Sequence, residues 1–310
     1  MSQGPIRLVL PATSANLGPG FDSVGLAMAL TLTVEAEAVL APNAQLLTIQ
    51  ATGRNADRCA RTSNNLIFET YRNLLERAGR AVTPLNLGIH NEIPLSMGFG
   101  SSAAALLAGV YLANHFGELG WTQQQCMAEA ARREGHPDNV AACVLGYLTI
   151  STVVDDSDSD SVVAATCGQT TPWKLLLALP SVSLATEKAR ALLPAQYSRA
   201  DVVANLQRTA LLVSAFALGR GDLLRVAMQD RLHQPYRMEA CPLLPLLLPL
   251  AGQQGVLGVA LSGAGPAVLL VVEPNATEEV AARIHQAAAD PSLEVIETAI
   301  APGAQICLPG

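Results

Sequence analysis

Four short stretches hold the residue types that chemistry needs. In "PLSMGFGSSAAA" (94–105), glycines at 98 and 100 precede two serines and a run of good helix formers. Glycine lets backbone N–H groups converge unobstructed, and a helix N-terminus adds about half a positive charge, so the stretch suits an anion such as phosphate. Ser101 and Ser102 add hydroxyls for that phosphate or for a magnesium ion bound to it. Neither G-x-x-x-x-G-K-[ST] nor a G-x-G-x-x-G in a βαβ unit is present, and a plain tight turn before a helix would read the same way.

The other three stretches are equally ambiguous alone. "LSGAGPA" sets Ser262, Gly263, Ala264 and Gly265 between two apolar strands, either as a hairpin turn or as a place where a ligand approaches bare backbone. "PATSANLGPGFDSVG" (11–25) places Asn16 and Asp22 in a stiff loop after the first strand, where substrates are often read. "EGHPDN" (134–139) offers Glu134 for a cation, with His136, Asp138 and Asn139 as hydrogen-bonding groups; His136 alone suits a structural role as well as that of a base.

The elements that must position these loops follow from periodicity. Strands are expected at 7–10, 30–37, 45–51, 85–90, 147–154, 174–179, 256–261, 267–273 and 292–299. Helices are expected at 65–79, 101–116, 186–193, 201–219, 222–230 and 276–289. Another opens at Thr122, with Gln125 at capping-box spacing, and stops at Gly135. The acidic run "DDSDSDS" (155–161) lacks the Gly and Glu of a calcium loop and reads as a solvated linker. The irregular alternation implies an α+β chain of two domains, 1–165 and 166–310.

Composition narrows the chemistry. A net charge of −7 with no Lys/Arg-rich run argues against a nucleic-acid surface, which needs clustered cations. The longest apolar runs fall short of the about 20 residues that a bilayer requires, so no membrane role is expected. The start "MSQGPIRLVL" shows no export pattern, and the six scattered cysteines suit reduced thiols, so a cytoplasmic protein is expected.

Together, in this order and spacing, "PATSANLGPGFDSVG", "PLSMGFGSSAA", "EGHPDN" and "LSGAGPA" resemble the GHMP family of small-molecule kinases over nearly the whole chain. "TSANLGPGFD", "EGHPDN" and "DRLHQPYR" (230–237) are similar to its homoserine-phosphorylating branch. The resemblance implies an N-terminal domain like ribosomal protein S5 domain 2 and a ferredoxin-like C-terminal domain. It implies phosphoryl transfer from ATP, with Mg2+, to L-homoserine, on the way to threonine, in a homodimer.

Residue by residue, the resemblance implies that the loop from Pro94 through Gly98, Phe99, Gly100, Ser101 and Ser102 wraps the ATP phosphates, with Asn65 at the adenine. Ser102 and Glu134 are the implied magnesium ligands, with Glu129 as the alternative carboxylate. Ser262, Gly263 and Gly265 are placed beside the phosphoryl group in transit, and Asn16, Asp22, His136, Asp138, Arg190 and Arg237 around homoserine. Phe99 stands where leucine is usual, and Ala267 where threonine is common. The place of a base in some relatives falls on Asn139, an amide that accepts no proton, which leaves Asp138 as the fallback.

Overall fold

The computed structural model describes residues 4–308 except 42, 155–160 and 182–185. The acidic run is thus outside the described residues apart from Ser161, which is buried. The N-terminal half runs β1 (Ile6–Asn16), β2 (Gly20–Ala38), β3 (Leu47–Gly53), α1 (Ala56–Cys59), α2 (Leu66–Arg77), β4 (Leu85–Asn91), α3 (Ser101–Phe116), α4 (Gln123–Glu134), α5 (Asp138–Leu145), β5 (Leu148–Val153) and β6 (Val162–Cys167). The C-terminal half runs β7 (Lys174–Leu179), α6 (Thr186–Ala191), α7 (Arg199–Leu218), α8 (Leu224–Ala227), α9 (Gln234–Arg237), α10 (Leu243–Leu247), β8 (Val256–Leu261), β9 (Val268–Val272), α11 (Thr277–Ala288), β10 (Glu294–Ala299) and β11 (Gln305–Cys307).

Local chemistry sets the helix boundaries. Asn65 accepts the Phe68 N–H to open α2, whose stripe of Ile67, Tyr71, Leu74 and Leu75 is buried. Thr122 and Gln125 form the reciprocal capping box of α4, and Gly135 ends it at a φ of 88° that favours glycine. The helix expected over 222–230 stops at Ala227. Beyond it, the Asp230 carboxylate accepts the N–H groups of Leu232, His233 and Gln234, giving the backbone an alternative to helical bonding.

The long β2 organises a seven-stranded sheet of order β11-β1-β2-β4-β3, with β5 on the first half of β2 and β6 beyond it. Among the described residues only β3 and β4 pair in parallel. The remaining four strands form a sheet of order β10-β7-β9-β8, all antiparallel, which with α11 between β9 and β10 is the split βαβ pattern of a ferredoxin-like unit.

Residue 165, at the expected domain boundary, falls inside β6, a strand of the N-terminal sheet that lies just after the 155–161 run and was not among the expected strands. β11 also returns to pair with β1. Period-two alternation packs the second sheet on both faces. Leu175, Leu177, Leu269 and Val271 join the core of the N-terminal half, while Leu176, Ala178, Leu270 and Val272 pack with Leu244, Val280 and Ile284 from α10 and α11. This shared core fixes the loops of the two halves against one another.

Candidate active site

The loop before α3 is built for close approach. Ser96, Gly98 and Gly100 all have positive φ, at 63°, 89° and 64°. A Cβ on Gly98 would lie 2.1 Å from the Ser262 carbonyl, and one on Gly100 would lie 1.9 Å from Thr13 Oγ1, so both positions need glycine on steric as well as conformational grounds. Ser262 Oγ donates its one proton to the Gly98 carbonyl at 2.7 Å and, 2.9 Å from Ser14 Oγ, accepts from that hydroxyl. The Gly263 N–H donates to the Ala15 carbonyl at 3.0 Å, and Asn16 Nδ2 donates to the Gly263 carbonyl at 3.0 Å. Three loops distant in sequence are thereby locked together.

They surround a cleft of about 370 Å³ lined by Asn16, Phe21, Asp22, the 98–102 loop, Glu134, His136, Asp138, Asn139, Arg190, Arg237, Gly263 and Ala264. Four expected residues, Ser262, Gly265, Pro94 and Asn65, do not line it. Ser262 is fully buried and spends its hydroxyl as the brace described above. Gly265 backs onto Cys241, and Pro94 is buried behind the loop. Phe99 contributes backbone: its ring is 1% exposed and its carbonyl accepts the Thr13 N–H.

Asn65 lines a neighbouring cavity of about 170 Å³, with Arg58, Cys59, Ile67, Ile93 and Ser101. Its carboxamide is committed: it accepts from Phe68 and donates to the carbonyls of Cys59, at 3.3 Å, and Arg61, at 3.1 Å. Asn65 therefore shapes this cavity, and its hydrogen-bonding groups are already occupied.

At the helix end of the cleft, Ser102 Oγ donates to Glu134 Oε2 at 2.8 Å. Burial raises the Glu134 pKa against the hydrogen bond from Ser102, and no Lys or Arg pairs with it among the described residues. Glu129 is placed differently. Its carboxylate is held by Arg132 at 2.7 Å, Arg133 at 2.6 Å and Arg77 at 3.6 Å, and it does not line the cleft.

The other end is polarised. Asp22, His136 and Asp138 bring ligand-type atoms within 4.8 Å of one another. His136 Nδ1 lies 2.7 Å from Asp138 Oδ1, which also accepts the Asn139 N–H at 2.6 Å. Burial opposes protonation of His136, but the Asp138 hydrogen bond and the charges of Asp138, Glu134 and Asp22 outweigh it and raise its pKa. Arg190 lays a two-pronged bond on Asp22, and the guanidiniums of Arg190 and Arg237 stand 5.5 and 5.7 Å from the centre of the Phe21 ring.

Arg237 is 2% exposed, and among the described residues no carboxylate is hydrogen-bonded to it. Burial, followed by the like charge of Arg190, lowers its pKa. A buried guanidinium that faces a cleft with no carboxylate bonded to it among the described residues suits an anion.

Sequence reasoning missed Thr13, Phe21 and His233. Thr13 is buried and donates to Asn139 Oδ1 at 2.7 Å, which directs the amide nitrogen of Asn139 the other way. Thr13 and Phe21 sit inside a stretch singled out for Asn16 and Asp22, but nothing local marks either.

A glycine loop at a helix N-terminus, a paired hydroxyl and carboxylate, and a polarised pocket on two interlocked α+β units fit the class of small-molecule kinases. The chain belongs to the GHMP kinase family: the model of the GHMP kinases N terminal domain matches residues 65–147, and that of the GHMP kinases C terminal domain matches 212–290. It is 45% identical over 268 residues to the homoserine kinase of Solibacter usitatus, covering 86% of this chain and 85% of that one. It is 38% identical to the homoserine kinase of Synechocystis sp., covering 92% of both chains. Among solved structures it resembles homoserine kinase from Cytophaga hutchinsonii, with a TM-score of 0.80 at 22% identity and 98% of each chain covered. It also resembles L. major mevalonate kinase, with a TM-score of 0.71 at 14% identity, covering 97% of this chain and 95% of that one. Likeness at these identities shows the fold.

Proposed function

We infer that this chain is an ATP:L-homoserine phosphotransferase, forming O-phospho-L-homoserine and ADP in threonine biosynthesis. The observation that carries the choice of acceptor is Arg237, a buried guanidinium with no carboxylate bonded to it among the described residues, beside Arg190 and across from Asp22 and Asp138. An uncharged sugar would leave that cation unmatched, whereas an α-amino acid supplies a carboxylate for the guanidiniums and an ammonium for the carboxylates.

ATP fits with its phosphates in the loop from Gly98 to Ser102 and its adenine in the cavity that Ser101 joins to the cleft. Ser102 Oγ and Glu134 Oε2 form a hard oxygen pair with no cationic side chain bound to it, which suits Mg2+. Ser102 and Glu134 would hold Mg2+, which would supply charge neutralisation for the transferring phosphoryl group. Gly98 and Gly100 bring the backbone against the phosphates, and the α3 N-terminus adds its dipole.

Phosphoryl transfer has a loose transition state, so positioning and electrostatics dominate over proton abstraction. Asn139, oriented by Thr13, offers its amide N–H groups and no basic site. The homoserine hydroxyl attacks in line and its proton leaves to a phosphate oxygen or water, with Asp138 as the alternative acceptor.

An ADP-release assay over homoserine, mevalonate, shikimate and galactose tests the assignment. Turnover of homoserine alone is expected; turnover of another alcohol without homoserine would overturn it. Among the described residues no helix is long and apolar enough to cross a membrane. The enzyme is proposed to act in the cytoplasm as a homodimer, and sedimentation as a monomer at micromolar concentration would remove the dimer.

A further inference from the structure

We propose that His233 is a positioning residue for substrate binding: its unprotonated Nδ1 holds Arg237 in the orientation that receives the amino acid carboxylate. The inference rests on the homoserine reading above and extends it to a residue that does not line the cleft.

His233 is 0% exposed; its ring has two polar groups of opposite character within hydrogen-bond distance, and the Asp230 carboxylate lies 3.6 Å from Nε2. Nε2 lies 2.7 Å from the Gly18 carbonyl, which only accepts, and Nδ1 lies 3.0 Å from Arg237 Nη1, which only donates. These partners require one tautomer, with the proton on Nε2 and the lone pair on Nδ1. A second proton would set N–H against N–H at a ring closed off from solvent.

The consequence for Arg237 is directional. Nε donates to the Ala189 carbonyl at 3.3 Å, and Nη1 donates to His233 and, at 3.4 Å, to the Gly263 carbonyl. Among the described residues Nη2 has no hydrogen-bond partner, so the bonds of the guanidinium lie on its Nε and Nη1 side. The Phe21 ring stacks on His233, at 5.3 Å and 27° between planes, and also lies under Arg237. His233 thus ties the Gly18–Asp22 loop to α9. Its own backbone is fixed by Asp230, which accepts the His233 N–H at 2.8 Å.

Two amide substitutions separate the halves of this arrangement. His233→Asn keeps an acceptor near the place of Nδ1 and loses the Gly18 contact, whereas His233→Gln keeps a donor near the place of Nε2 and loses the acceptor. Steady-state kinetics should show the homoserine KM raised roughly tenfold in His233→Gln and changed by no more than about threefold in His233→Asn, with the ATP KM unchanged in both. Equal effects of the two substitutions on homoserine, or parallel rises in both KM values, would reduce His233 to a packing residue and overturn the proposal.

Nitrogen-15 NMR of the wild-type imidazole works even where a variant fails to fold. The Nε2–H tautomer is expected at neutral pH, with the Nδ1 signal moving on addition of homoserine but not of ATP. An Nδ1–H or doubly protonated ring, or an Nδ1 signal indifferent to homoserine in an enzyme that phosphorylates it, would overturn the proposal. Failure of the wild-type enzyme to turn over homoserine would instead overturn the functional reading.

Discussion

Arg190 and Asp22, 168 residues apart, close a two-pronged ion pair with both N–O distances at 2.9 Å across the mouth of the cleft. Each partner carries a charge opposite to one end of an amino acid zwitterion, so substrate can exchange one internal pair for two external ones. Asp22→Asn should therefore narrow the preference for homoserine over 4-hydroxybutanoate, which lacks the ammonium, by roughly tenfold or more in kcat/KM. An unchanged ratio would remove Asp22 from the contacts of the ammonium.

Arg237→Lys keeps the charge and loses the planar donor array that α9 holds in place. The homoserine KM should rise roughly tenfold or more while the ATP KM stays near wild type. Steady-state kinetics varying each substrate in turn checks this.

Glu134 and Glu129 share α4 and differ in their partners. Glu134→Gln should lower turnover roughly a hundredfold or more with folding retained, because a metal clamp supplies several kcal/mol to the transition state. Glu129→Gln breaks a cluster with Arg77, Arg132 and Arg133, so it should lower the thermal midpoint and leave turnover within a few-fold of wild type. Activity assays paired with melting curves distinguish the two; the reverse pattern would move the metal site one helical turn.

Thr13→Val removes the hydroxyl that orients the Asn139 amide and leaves Asn139 Oδ1 without its donor. Turnover should fall roughly tenfold, with a stability loss of about 1–3 kcal/mol, and Thr13→Ser should restore both. Equal turnover in the valine and serine variants would make Thr13 a packing residue.

Acid should destabilise the fold partly through His233. Burial lowers its pKa to about 4, helped by the charge of Arg237 and opposed by Asp230, whose carboxylate lies 3.6 Å from Nε2, and by the Gly18 hydrogen bond and Asp22. An unfolded histidine titrates near 6.5, so between these values the unfolded chain binds the extra proton. The contribution is therefore complete above about pH 6.5 and is lost as pH falls toward and through about 4, at up to about 1.4 kcal/mol per pH unit. Urea denaturation at pH 7, 6 and 5 should show a shallower decline in His233→Asn than in wild type.

What could be read from the sequence is what a short window contains. The helix 101–116, the Thr122–Gln125 capping box and the Gly135 stop depend on contacts within a few residues, and all three stand where periodicity and capping put them. Gly98 and Gly100 were legible for the same reason, since their bare backbone is a local property.

Only the tertiary structure decided which groups those loops face. Glu134 meets Ser102 while Glu129, on the same helix, is taken by arginines, and no spacing along α4 distinguishes them. β6 escaped notice because its pairing with β5 is closed across the acidic run. Ser262 looked like a group for the reacting phosphate, yet it bonds Gly98 from 164 residues away. His233 and Arg237 gain their roles from burial beneath Phe21 and Gly18, more than two hundred positions earlier. Propensity and capping act through neighbours in the chain, whereas desolvation and hydrogen-bond partnership act through neighbours in space; the second set exists only once the two sheets share a core.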